Sequence, residues 1–201
     1  MGSSDRMHSH SSDNPAPRPK EDSVFCVCRF DNVATFPILE SQTTAQRPVC
    51  ITVDSDSAGK FLRISRPAPR AADHSDAIVL ALPLVATDGE LHQILLDMCG
   101  DGSGCSVAIE ASDVGGRGLV YSLGRVDFRG WRILHSDIGR PEAVWQAPDS
   151  AVPGEPQPPI CLHRLRLTWV SYPEASDMGL RALSVTGRPR RAAPGLADAN
   201  G

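Results

Sequence analysis

The run from Asp97 to Ile138, DMCGDGSGCSVAIEASDVGGRGLVYSLGRVDFRGWRILHSDI, constrains this chain more than any other stretch. Gly100, Gly102 and Gly104 stand among Asp97, Asp101 and Ser103, and such turn chemistry forces a tight reversal. The segments that follow are short, alternate in polarity, and are rich in β-branched and aromatic residues, with Gly115-Gly116 and Arg129-Gly130 as breaks. Alternation of period two places side chains on opposite faces of a strand, so the run predicts antiparallel β-structure.

The same rhythm extends outward. Ser23 to Phe30 is apolar at nearly every position, which suits a strand covered on both faces. Strands are predicted at Val49 to Val53 and Phe61 to Arg66, joined by the polar turn Asp54 to Lys60. That turn lacks the ligand spacing and terminal Glu of an EF-hand. Ile78 to Ala86 reads as a buried strand in which Pro83 implies a bulge or an edge. Leu91, Ile94, Leu95 and Met98 fit helical spacing, with Asp88 as N-cap and Gly100 as stop. The segment is only about two turns long and runs straight into turn chemistry, so strand is the prediction. Further strands are expected at Cys105 to Ser112, Leu119 to Leu123, Val126 to Phe128 and Trp131 to Ile138. The proline-rich interval 139 to 159 is expected to be a long loop. In Ile160 to Val170, Leu165, Leu167 and Trp169 take one face and Arg164, Arg166 and Thr168 the other. Gly179 to Thr186 is the final strand. Nine or ten short strands with no long helix predict an all-β, two-sheet antiparallel sandwich or jelly roll.

With 201 residues, one domain with tails is expected: a polar, proline-rich tail at 1–21, a sandwich domain at 22–187 and a second tail at 188–201. The formal charge of -4 gives no electrostatic footprint for nucleic acid or for an anionic membrane, and favours an uncharged partner. No apolar run reaches the roughly 20 residues that span a bilayer. The amino terminus shows no apolar h-region, and Arg6 stands where a myristoylation signal wants Ser or Thr. Localisation is left open by these residues.

Candidate chemistry is sparse. Glu110, Asp113, Asp97 and Asp101 supply carboxylates, but nothing selects the spaced pair that glycoside or general acid–base chemistry requires. Asp101 and Ser103 are expected to cap their turn through its backbone N–H groups. His74, His92, His135 and His163 show no metal-ligand spacing, and His8 and His10 fall in the first tail. No metal site and no cofactor are predicted. Of six cysteines, most are expected as free thiols. Cys26 and Cys28, two apart on a strand, are expected on one face. Cys99 and Cys105 flank the Gly-rich turn and would bridge if that turn closes a hairpin between Asp97-Met98 and Ser106-Val107. Large aromatics are few. Trp145 and Tyr172 fall in polar, proline-containing loops and are the leading ligand platforms. Trp131 is a further candidate, although it and Trp169 lie in alternating strands where core packing is the first expectation.

Gly100-Asp-Gly-Ser-Gly104, Leu123-Gly-Arg-Val-Asp-Phe-Arg-Gly-Trp-Arg132, Leu162-His-Arg-Leu-Arg-Leu167 and Gly179-Leu-Arg-Ala-Leu-Ser-Val185 come in that order. Together they resemble the galactose-binding-like jelly-roll domains of bacterial carbohydrate-active proteins. The resemblance spans residues 90–187 and, more weakly, 23–89. It implies a non-catalytic module that binds a glycan or polysaccharide, and an exported setting, secreted or periplasmic. A structural or protein-interaction sandwich is the alternative, and a jelly-roll glycosidase or lyase ranks last. Domains of this kind often carry a structural calcium, held near the first strand and by a carboxylate in the last. Here Arg181 and Ala182 stand in the last strand, leaving Asp31 alone near the first, so calcium is not expected.

Overall fold

The computed structural model describes residues 22–42, 49–68, 75–87, 89–145, 155–170 and 174–189. In chain order the strands are β1 (Ser23–Arg29), β2 (Ile38–Gln42), β3 (Cys50–Asp56), β4 (Gly59–Arg66), β5 (Ser75–Thr87), β6 (Gly89–Asp101), β7 (Cys105–Ser112), β8 (Gly118–Val126), β9 (Arg129–Asp137), β10 (Ala143–Trp145), β11 (Ile160–Val170) and β12 (Ser176–Pro189). A 3-10 turn at Val33–Thr35 is capped by the Asn32 side chain, which accepts from the Ala34 amide. No α-helix occurs among the described residues.

Two antiparallel sheets face each other. The first runs β3-β4-β12-β6-β9, with β1 also paired to β12. The second runs β10-β8-β7-β11-β5-β2. Alternation explains the layering, because the residues that point inward from each strand are apolar. Leu62, Ile64, Ile94, Leu96, Leu180 and Val185 come from the first sheet and meet Val107, Ile109, Tyr121, Leu165, Leu167 and Trp169 from the second. All are essentially inaccessible to solvent. Two buried ion pairs close the rim of this core. Arg66 holds Asp76 at 2.5 Å, and Arg117 holds Asp113 at 2.6 Å.

Residues 89 to 101 form a strand and not a helix, since Leu95, Asp97 and Cys99 point out of the sheet while Ile94, Leu96 and Met98 point in. Pairing with β12 on one side and β9 on the other decides what local periodicity left open. Pro83 lies in a bulge. The register jumps there, with Leu162 opposite Val85 and Arg164 opposite Ala81. The interval 139 to 159, expected as loop throughout, contains β10, whose three residues pair with β8.

Two cysteine expectations fail. Cys26 and Cys28 do not share a face. A bulge at Val27 sets Cys26 opposite Ser184 and Cys28 opposite the neighbouring Leu183, so Cys28 turns toward the core and Cys26 toward solvent. The Gly-rich turn after Cys99 is no hairpin. It crosses from the first sheet to the second, because β6 pairs with β12 and β9 whereas β7 pairs with β8 and β11. Cys99 faces outward, Cys105 is in the core, and both thiols are free.

Candidate functional site

The longest strand, β12, carries the feature that shapes one face of the protein. Along one edge it pairs with β6. Along the other, Ser176 to Leu180 pair with β4, and Ala182 to Gly187 pair with β1. The partner changes at Arg181, where the register against β6 also slips, between Leu180 and Ala182. The Arg181 carbonyl there accepts from the Phe30 amide at 3.0 Å. The end of β1 and the β3-β4 turn diverge around this point. They leave a cleft of about 500 Å³ lined by Cys26, Arg29, Asp31, Ala58, Gly59, Lys60, Arg181, Ala182 and Ser184.

Arg181 is held from three directions. Its Nη2 donates to Asp56 Oδ2 at 2.6 Å, its Nη1 donates to Asp97 Oδ2 at 3.2 Å, and its guanidinium lies 3.6 Å over the ring centre of Trp131. Stacked guanidinium and indole attract through the ring quadrupole, more so where water is partly excluded. Nε of Arg181 is buried with no acceptor of its own. Trp131 is half-buried and receives the Phe61 ring edge-on at 5.3 Å. Gly179 makes this packing feasible. A Cβ there would lie 3.1 Å from Phe61 and 3.2 Å from the Cys99 Cβ, so any side chain would push the ring aside. Trp131 therefore belongs to the outer face of the first sheet and not to the core, where Trp169 lies instead.

Beyond Phe61 the same face carries a second ionic group. Arg63 clamps Asp177 through Nε at 2.8 Å and through Nη2, and its Nη1 reaches Asp54 at 3.2 Å. Hydrogen bonds from Arg63 pull the Asp177 carboxyl below the ordinary carboxylate range, against a smaller opposing effect of burial. Burial raises the thiol of Cys99, beside Trp131, with Arg181 pulling the other way.

The other residues singled out in the sequence scatter. Burial disfavours the charge of Asp101, yet hydrogen bonds outweigh it and hold this carboxyl below its usual range. Its Oδ2 accepts from Ser176 Oγ at 2.6 Å and from the Asp177 amide at 2.7 Å, and its Oδ1 accepts from the Ser103 amide at 2.9 Å. The carboxylate thus ties the inter-sheet turn to the start of β12. Ser103 Oγ accepts from the Cys105 amide at 3.4 Å. Asp113 is buried against Arg117, and Glu110 pairs with Arg164 and Arg166 on the outer face of the second sheet. Asp101 and Asp113, whose carboxyls hydrogen bonds hold below the usual range, are poor general acids. Trp145 belongs to β10 at the edge of the second sheet, opposite Gly118. Its side chain and the whole of Tyr172 lie outside the described residues. Among the described residues no three His, Cys, Asp or Glu side chains converge as a metal site.

Sequence reasoning missed Arg181, Phe61 and the cleft. The signal was present as an arginine within the otherwise apolar Gly179-Leu-Arg-Ala-Leu183, because a cation inside a strand needs carboxylate or aromatic neighbours on adjoining strands.

No family model and no curated protein matches the chain. Solved structures do. The family 11 carbohydrate-binding module from Clostridium thermocellum, in complex with a β-1,3-1,4-mixed-linked tetrasaccharide, is similar at a TM-score of 0.55 and 16% identity, over 84% of this chain and 98% of that one. The family 11 module of the cellulosomal cellulase Lic26A-Cel5E of the same organism is similar at 0.54 and 14%, over 86% and 98%. The solution structure of CtCBM11 is similar at 0.57 and 14%, over 83% and 96%. The chain thus has the two-sheet jelly-roll fold of carbohydrate-binding modules.

Proposed function

We propose that this chain is a non-catalytic carbohydrate-binding module that holds a glycan on the outer face of its first sheet, in the cleft at Arg181. The observation that carries the reading is the cleft's fixed polar wall, Arg181, which two carboxylates hold in place and which stacks on the half-buried Trp131 beside the cleft. Pyranose rings bind to surfaces that combine apolar area with fixed polar groups. Arg29, Asp31, Lys60 and Ser184 provide donors and acceptors for hydroxyls in the same hollow. The shared fold supports the reading at the level of architecture, and the neighbour described with a mixed-linked tetrasaccharide bound makes β-glucan a first ligand to try.

Retardation in affinity gels cast with soluble polysaccharides, followed by calorimetry on any positive, tests it. Binding to at least one polymer, weakened by Trp131→Ala or Arg181→Ala, is expected. No retardation by any polymer, with the protein folded, refutes it. The alternative, a protein-docking sandwich, is favoured by one feature of the same face. Val24 and Ile133 are 65% and 63% exposed there. Capture of a protein partner in the absence of any glycan binding would select that alternative.

A further inference from the structure

The net charge of the chain favours an uncharged partner, but the cleft has the opposite local sign. Arg181 in its lining is matched by Asp56 and Asp97, which leaves the cations Arg29 and Lys60 against one lining carboxylate, Asp31. Two other arginines of this face are held by carboxylates. Arg63 engages Asp54 and Asp177, and Arg181 engages Asp56 and Asp97. Arg29 and Lys60 make no ion pair among the described residues. Single exposed cations are ordinary on any protein surface. Two unpaired cations converging on one hollow, beside a third guanidinium already fixed in position, are a different arrangement.

Strand geometry sets them there. Arg29 lies opposite Ala182, one residue past the point where β12 changes partner. Lys60 lies opposite Ser55, next to the Ser57-Ala58 turn that leans over the same gap. The two cations thus come from the two strands that share one edge of β12. The cleft is open enough for a sugar ring, which a pair of surface cations on a flat sheet would not provide.

We propose that the cleft takes an acidic sugar, a glycan residue bearing a carboxylate or sulfate group that Arg29 and Lys60 hold. This rests on the glycan-binding reading above and assigns it a substrate class. A guanidinium presents two parallel N–H groups that match two oxygens of a carboxylate or a sulfate, and an ammonium adds a point charge without fixed direction. Arg181, immobilised by Asp56, Asp97 and Trp131, supplies a fixed wall for the ring. Asp31 accepts from a sugar hydroxyl. The solvent-open cleft makes the attraction sensitive to salt.

Four polymers separate the possibilities. They are polygalacturonate, the same polymer with its carboxylates methyl-esterified, chondroitin sulfate, and mixed-linked β-glucan as the uncharged comparison. The protein is wild type and the double variant Arg29→Gln, Lys60→Gln, whose unfolding midpoint is checked first. Binding to polygalacturonate or chondroitin sulfate is expected. It should weaken by at least about tenfold in the double variant, on esterification, and as salt rises from about 0.05 to about 0.5 M. Preference between the two acidic polymers tells carboxylate from sulfate. Binding of neutral polymers alone, indifferent to salt and to the double substitution, overturns the acidic assignment and leaves the glycan reading standing. Retention by none of the four and by no other polysaccharide overturns both.

Discussion

Asp101 is the residue through which the turn between the sheets is fixed, and its removal has a calculable cost. Alanine there deletes three acceptor interactions at once, those with Ser176 Oγ, the Asp177 amide and the Ser103 amide. Hydrogen bonds to a charged group contribute about 1.5 to 3 kcal/mol each, but the three share one carboxylate and water reaches part of it. A loss of about 2 to 4 kcal/mol is therefore expected, read by urea denaturation at pH 7. Ser176 also accepts from Trp169 Nε1 at 3.1 Å, so Ser176→Ala and Asp101→Ala should be less than additive in a double-mutant cycle. Acid gives a second reading of the same residue. The folded-state carboxyl lies below its ordinary value, so its stabilisation is complete above the unfolded pKa, near 4, and is lost as pH falls through the folded value. Asp101→Asn does not titrate. The stability gap between wild type and Asp101→Asn should be widest above about pH 5 and shrink toward pH 2. A cost for alanine under about 1 kcal/mol, or an Asn gap unchanged across the acid range, would refute the role given to this carboxylate.

Three other outcomes follow from packing. Asp76→Ala removes the carboxylate that faces the buried Arg66 charge and should cost about 3 to 5 kcal/mol, whereas Arg66→Met with Asp76→Leu should recover more than half of that in the same denaturation assay. Gly100→Ala brings a methyl to 2.6 Å from the Phe128 carbonyl oxygen and should destabilise by about 1 to 3 kcal/mol, lowering the thermal midpoint. Thiol titration without reductant should find all six cysteines after unfolding; in the native protein the exposed Cys26 and Cys50 react first. Cys28, pushed up to about 12 by burial and by the nearby Cys26, and Cys105, raised by burial, should react only on unfolding.

The strands were legible where one face is wet. Ile160 to Val170 alternates because β11 has the core on one side and solvent on the other, and the pattern states both the element and its inward face. In β6 the outward Leu95 supplies the extra apolar position that imitates a helix, and only its two partner strands resolve it. A period-two argument misassigned the face of Cys28 because one bulged residue, Val27, inverts everything beyond it. Turn chemistry at Gly100 to Gly104 announced a reversal without saying whether the chain returns to its own sheet or crosses to the other. Trp131 followed the same logic. Alternation placed it on a strand but did not say which face looks inward. The site was least legible because its parts, Arg29, Lys60, Phe61, Trp131 and Arg181, come from four strands, and no local pattern links them.

Both sheets have a late strand at their centre. β11 separates β5 from β7, and β12 separates β6 from β1 and β4. Ser23 must meet Gly187, and Arg66 must meet Ser176. During synthesis, the β3-β4, β7-β8 and β2-β5 pairs can form as each is made, but β1 has nothing to join, and the edges of β4, β5, β6 and β7 stay unpaired until residues 160 to 189 have emerged. Assembly should therefore be slow, dominated by contacts distant in the chain. Ribosome-bound fragments ending before Ile160 expose several strand edges at once and should associate with each other or with chaperones. The cleft at Arg181, bordered by the first strand and the last, is among the final parts of the molecule to exist.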